Sequence, residues 1–190
     1  MAVLVSSAVG LLVAAGVFES PRDVLASVRI HALAEDLRAA AAEFHIDPYL
    51  VAGIVDAESS GRVDVISSVG AMGLMQLRPD TAAERARRLG IERFEDSDLI
   101  EDPGLNLRLG CAYLRYLFDR FGEDDPRPVL VAYNAGPNKA ARWFTEAGGF
   151  EPWLAEQNAL APARPGSVRH YFAKVLASAQ RYRERGLLEP

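Results

Sequence analysis

One stretch of this chain leaves little choice of conformation: residues 47–60, DPYLVAGIVDAESS. Asp47 suits an N-cap, and Pro48 the first helical position, where its missing N–H is no loss. Leu50, Ile54 and Glu58 then fall at i, i+4 and i+8 with Val51 and Val55 beside them, forming one apolar helical stripe. Glu58 shares that buried face and lies at the helix end. A carboxyl in an apolar wall is desolvated when ionised, so its pKa is expected to rise toward neutrality, where it holds a proton at working pH. A Glu at a helix end more often simply reaches solvent, so the reading of Glu58 depends on what accompanies it.

Twelve residues after Glu58 begins the glycine-bracketed run GAMGLMQ, residues 70–76. Glycines let backbone approach a ligand, and a carboxyl facing such a loop is how a glycosidase builds a general acid. Taken one at a time, these residues also have plainer readings. Gly70 and Gly73 serve a turn, Met72, Leu74 and Met75 fill core, and Ser67 or its neighbour Ser68 caps a turn. Tyr133 and Tyr171 pass equally for wall residues with the hydroxyl at the surface.

Further blocks follow in order: PDTA after the glycine run, AYNAGP at 132–137 and RHYFAKVL at 169–176. Together with DPYLVAGIVDAESS, Ser67 and GAMGLMQ, they resemble the successive motifs of the soluble-type (SLT domain) lytic murein transglycosylases, a goose-lysozyme-like family. The similarity runs from about residue 33 to 182. Each block alone is weak, whereas their recurrence in order is specific. The resemblance implies a lysozyme-like helical domain, and the residues read as mainly α with at most a small β-hairpin, preceded by an N-terminal apolar helix. It implies cleavage of the bond between N-acetylmuramic acid and N-acetylglucosamine in peptidoglycan, without cofactor or metal.

Residue by residue, the resemblance makes Glu58 the catalytic acid and base. Ser67, nine residues later, takes the place of a hydroxyl near that carboxyl. Gln76 would exchange hydrogen bonds with the sugar, Met75 would line the groove, and Tyr133, Asn134 and Tyr171 would complete the substrate pocket. Tyr171 is expected close to Glu58.

Most glycosidases need a second carboxylate, roughly 5 to 9 Å from the first, and the implied chemistry does without it. Asp56 points to another side of the helix, whereas Asp64 and Asp80 lie where either could approach the cleft. With one of them in place the enzyme would be a hydrolytic muramidase. The non-enzyme alternative is a peptidoglycan-binding module that keeps the groove without turnover. Retention of Glu58 beside Gln76, Tyr133 and Tyr171 speaks against it, because binding alone needs no acid.

Two positions depart from the family pattern. Gly61, Arg62 and Val63 replace an aromatic, Asn and Pro, so the loop after Glu58 is expected to be looser. Arg78 stands where Met is common, either facing solvent, the favoured reading, or contacting an anionic peptide or lactyl carboxylate.

The 190 residues, 49% hydrophobic and without repeats, suit one compact core. A net charge of −5 argues against nucleic acid as partner. Of metal signatures there is none: His31, His45 and His170 are scattered, and Cys111, the single cysteine, reads as a small core residue.

Residues 2–18 carry no charge and as a helix would cover roughly 25 Å, just short of a ~30 Å hydrocarbon core. Residues 1–18 therefore read as a membrane anchor or signal segment, the anchor being favoured because no Lys or Arg precedes the apolar run. Either places the chain in the cell envelope, outside the cytoplasm, with glycan strands as partner, the membrane at its N-terminus and room for other wall or secretion proteins. Residues 19–45 read as a connecting helix, Ala-rich with Val24, Val28, Leu33 and Leu37 in helical register, and 46–185 as the catalytic domain. Within that domain, helices are expected at 79–89, 103–121, 127–134, around Trp143 and Phe144, at 150–160 and at 168–185, with the one plausible hairpin at 63–69.

Overall fold

The computed structural model describes residues 20–160 and 164–189; the apolar segment 1–18 lies outside them. Among the described residues the chain forms ten helices: α1 (Pro21–Ala32), α2 (Ala34–Glu43), α3 (Pro48–Glu58), α4 (Pro79–Arg88), α5 (Asp98–Glu101), α6 (Pro103–Phe121), α7 (Pro126–Ala135), α8 (Pro137–Ala147), α9 (Phe150–Leu160) and α10 (Val168–Glu184). Proline opens six of them, at the one turn where an absent N–H costs nothing. Side-chain caps from Ser20, Asp47, Asp102, Asp125 and Ser167 take up further free N–H groups at helix starts.

The core is one continuous cluster. Ile54 and Val55 of α3, Leu107 and Leu114 of α6, Leu130 of α7 and Val175 of α10 are all fully buried in it. Helices α3 and α10 make the closest pair, because Gly53 removes the side chain between them. A Cβ there would sit 2.5 Å from the Val175 carbonyl oxygen. This approach brings residues on α10 against the C-terminal end of α3, where Glu58 is. A cluster of Phe144, Phe150 and Trp153, with Trp143 stacked on Trp153 at 5.7 Å, joins α8 to α9.

Three expectations change. The span read as one connecting helix is broken at Leu33 (φ −101°, ψ 8°), whose N–H turns back to the Ile30 carbonyl at 3.1 Å. Nor does it merely connect: Ile30 and Leu37 are fully buried in the common core, and Arg38 donates to the Leu188 carbonyl at 2.5 Å. Packing therefore starts before residue 46, since α1 and α2 cover apolar surface that would otherwise face water. The hairpin expected at 63–69 is absent as such. Instead Ile66 bridges Met72, and Met72 bridges Leu77, so the β contribution is two isolated bridges that fold the glycine run back on itself. Among the described residues no helix is long and apolar enough to cross a membrane.

Candidate active site

Helix α3 delivers Glu58 half-buried at its last turn. From α10, the Tyr171 hydroxyl donates to Glu58 Oε1 at 2.7 Å, across 113 residues of sequence. One turn further along α10, Lys174 Nζ donates to the carbonyl of Ala57 at 3.2 Å. Burial raises the Glu58 pKa above the ordinary carboxylate value; the Tyr171 hydrogen bond and the Lys174 charge oppose this without reversing it. Burial and the nearby Glu58 charge push the Tyr171 hydroxyl well above its usual range, so it stays a proton donor. The arrangement is an acid that holds its proton more firmly than an ordinary carboxyl and whose ionised form is still supported by a hydroxyl and an ammonium.

The loop after Glu58 is tied down rather than loose. Ser60 adopts φ +56°, and its hydroxyl accepts from Arg22 Nη2 at 3.0 Å, while Arg62 Nε donates to the Ser59 carbonyl at 3.1 Å. Gly61, at φ +74°, lies so close to α1 that a Cβ would meet the Arg29 Cβ at 2.8 Å. Of the substituted residues, Gly61 thus rests against helix α1 and Arg62 is held by the Ser59 carbonyl at the end of α3.

The glycine run is organised from its backbone. Gly73, at φ +75°, would place a Cβ 2.0 Å from the Leu99 carbonyl oxygen and 2.2 Å from Asn106 Nδ2, so no side chain fits. Gln76 is held at φ +47°, an uncommon conformation for a residue with a side chain. Its Nε2 donates to the Val65 and Gly73 carbonyls, each at 3.0 Å, which leaves the Oε1 acceptor for other partners. Met75 is fully buried and packs over Gly110, so its side chain belongs to the core and not to a groove. Its carbonyl matters instead, accepting the Tyr133 hydroxyl at 2.6 Å. The Ser67 hydroxyl oxygen accepts from the Ala71 N–H at 2.9 Å, closing the 67–71 turn.

Gln76, Tyr133 and exposed Asn134 line a common cleft of about 340 Å³ with Arg78, Thr81 and Tyr113. Glu58 does not line it. Tyr133 lines it, and burial, then the Glu58 charge that it senses, raise its pKa. A larger cavity, about 540 Å³, includes Asp47 and Leu50 and so lies at the opposite end of α3 from Glu58. Asp56 is buried and turned away, accepting from the Ser178 hydroxyl at 2.6 Å and from Arg181 at 3.3 Å. Asp64 and Asp80 are exposed and neither lines the cleft. Among the described residues no cluster of His, Cys, Asp and Glu could hold a metal ion.

Sequence reasoning missed Asn106, Tyr113 and Lys174. Asn106 is fully buried, accepts from the Met75 N–H at 3.0 Å, and donates to the Met72 and Leu99 carbonyls at 3.1 and 2.9 Å. The signal for it was a carboxamide set between Leu105 and Leu107 on an apolar helix, with Tyr113 two turns along the same face.

The family model of the transglycosylase SLT domain matches residues 36–155. A transglycosylase of Enterobacteria phage PRD1 is 44% identical over 106 residues, covering 56% of this chain and 36% of its own length. The soluble lytic murein transglycosylase of Escherichia coli K12 is 33% identical over 127 residues, 66% of this chain and 19% of that protein. The X-ray structure of an inactive mutant of lytic transglycosylase Slt from Pseudomonas aeruginosa superposes with a TM-score of 0.67 at 29% identity, covering 82% of this chain and 25% of that one. The chain thus spans between about a fifth and about a third of the length of these relatives. With a match over more than half of its residues, on a helical fold shared with a solved Slt structure, the chain belongs to the transglycosylase SLT domain family.

Proposed function

We propose that this chain is a peptidoglycan lytic transglycosylase with Glu58 as its general acid and base. The observation that carries the reading is the half-buried Glu58 carboxyl, with its pKa raised by burial and the Tyr171 hydroxyl 2.7 Å away. Protonated Glu58 donates to the oxygen linking N-acetylmuramic acid to N-acetylglucosamine, and the C1–O bond breaks. The substrate's own 2-acetamido oxygen supports the positive charge that develops at C1. Glu58, now ionised, takes the proton from the C6 hydroxyl, whose oxygen bonds to C1 and closes a 1,6-anhydro ring. The acid ends the cycle protonated, as it began.

Tyr171 fits this cycle because its hydrogen bond strengthens as Glu58 ionises. Gln76 Oε1 and Asn134 supply polar contacts to the sugars along the cleft, and Tyr133 links cleft to acid. The turned-away Asp56 and the exposed Asp64 and Asp80 favour transglycosylation over hydrolysis by leaving water without a second carboxylate. Such a substrate requires an extracytoplasmic site, and the apolar residues 1–18 are the segment that would hold the chain at the membrane.

Mass spectrometry of muropeptides released from purified peptidoglycan tests this, with Glu58→Gln as control. Anhydro-muramyl products absent from the control are expected. Reducing-end products would replace the reading with a muramidase, and no products would favour a binding module.

A further inference from the structure

We infer that Arg78 makes the cleft a carboxylate-recognition site, taking the anionic group on the muramic acid side of the strand. This rests on the peptidoglycan reading above and adds a ligand group to it.

The cleft is lined by Gln76, Thr81, Tyr113, Tyr133 and Asn134, all uncharged; Arg78 is the one charged residue among those lining it. The side chain is exposed, yet it has a preferred place, because Nη1 donates to the Val69 carbonyl at 3.1 Å. That bond ties the guanidinium to the tip of the 67–71 turn, leaving its other N–H groups available to a ligand. Asp80 is two residues away, yet the ion pairs among the described residues do not include Arg78. In a chain with 26 acidic residues, a guanidinium tethered by a carbonyl and not by a carboxylate keeps its charge unneutralised beside a polar, uncharged cleft. Its planar fork of donors suits a carboxylate, which accepts two parallel hydrogen bonds.

The substrate has carboxylates on one kind of sugar only. Muramic acid carries a lactyl carboxyl, either free or joined to a stem peptide that itself bears carboxylates, while N-acetylglucosamine carries none. A single positive group at one place in the cleft therefore distinguishes the two sugars and sets the register of the strand, because a one-sugar shift removes the carboxylate from its partner.

The test uses the full chain, Arg78→Met and Arg78→Lys, with KM and kcat measured on three forms of glycan strand. One retains stem peptides, one is stripped to free lactyl carboxylates, and one has its carboxyls converted to neutral amides. Losing one charge-assisted contact is expected to raise KM roughly tenfold for Arg78→Met with kcat nearly unchanged. The same change should abolish the salt dependence of KM, and Arg78→Lys should recover most of it. Whichever carboxylate-bearing strand shows the loss identifies the group. On amidated strands the wild type should fall to the level of Arg78→Met. An unchanged KM on both carboxylate-bearing strands overturns the inference, as does an equal loss on amidated strands, which would mean that Arg78 serves only the 67–71 turn. Wild-type turnover with no Arg78 effect sinks this inference alone, whereas absence of anhydro products from the wild type sinks the transglycosylase reading and this inference with it.

Discussion

Tyr171 and Lys174 lie one turn apart on the same helix and hold the end of α3 from two sides, Tyr171 through the Glu58 carboxyl and Lys174 through the Ala57 carbonyl. Both favour the ionised form of Glu58, against the burial that disfavours it. Removing either raises the Glu58 pKa further. An acid must be protonated to act, so activity falls as pH rises through that pKa, and Lys174→Met should move this alkaline limb of kcat/KM to higher pH. Arg at 174 should restore the wild-type limb. A pH–rate profile checks the direction; a limb that stays in place would remove Lys174 from the electrostatics of the site.

Glu58→Gln should lower the release of anhydro-muropeptides by roughly 100-fold to 10,000-fold and leave strand binding largely intact. It should also stabilise the fold at neutral and higher pH. Because burial raises the Glu58 pKa above its unfolded value, the folded state binds that proton more tightly. The favourable contribution is complete at low pH and is lost as pH rises through the folded pKa. Gln has no proton to lose. Thermal unfolding should therefore show the variant above wild type at pH about 8, with the gap closing by pH about 4.

Asn106→Ala removes three hydrogen bonds from a fully buried site and strands the Met75 N–H and the Leu99 carbonyl, while the Met72 carbonyl keeps the Leu77 N–H at 3.1 Å. The expected cost is about 2 to 4 kcal/mol of stability, read by denaturant unfolding. Activity should fall beyond what stability explains, because the Met75 backbone that receives Tyr133 is released with it.

Gly73→Ala should be among the most damaging single-methyl additions. The new Cβ meets a backbone carbonyl and Asn106 at a positive φ, so neither the strain nor the overlap can be relieved by a side-chain rotation. Gly90→Ala carries the same sign of φ, +71°, but meets nothing within 4 Å. Thermal melts of the pair separate the two terms: Gly90→Ala should cost about 1 kcal/mol, and Gly73→Ala clearly more.

Cys111 is buried, and its thiol is pushed up to about 12 by desolvation. It should resist a thiol-specific disulfide reagent in the native state and react fully once the chain is unfolded. Rapid reaction of the folded protein would show that helix α6 opens locally.

Most of the helices were legible because their ends carry their own chemistry. Pro103 and Asp102 start α6 whatever surrounds them, and Gly122 at φ +101° ends it. Leu33 was not legible: the Ala-rich register runs straight through it, and the break exists because α1 and α2 each pack their own apolar residues into the core. Met75 was misread for a related reason. Methionine beside a functional glycine looks the same in sequence whether it faces a groove or, as here, the space left by Gly110.

The sequence by itself determined that α3 is an apolar helix ending in a carboxyl, that glycines permit the turn at 70–76, and that motifs in family order accompany them. Those properties are local, governed by caps, periodicity and allowed backbone angles within a few residues. Only the tertiary structure decided that Glu58 meets Tyr171, that Asp56 turns away to pair with Arg181 and accept from Ser178, that the Ser67 hydroxyl closes a turn, and that Arg78 lines the cleft without an acidic partner. Each of these depends on which surfaces desolvate together, and residues 113 apart in the chain come within 2.7 Å only because Gly53 lets two helices touch.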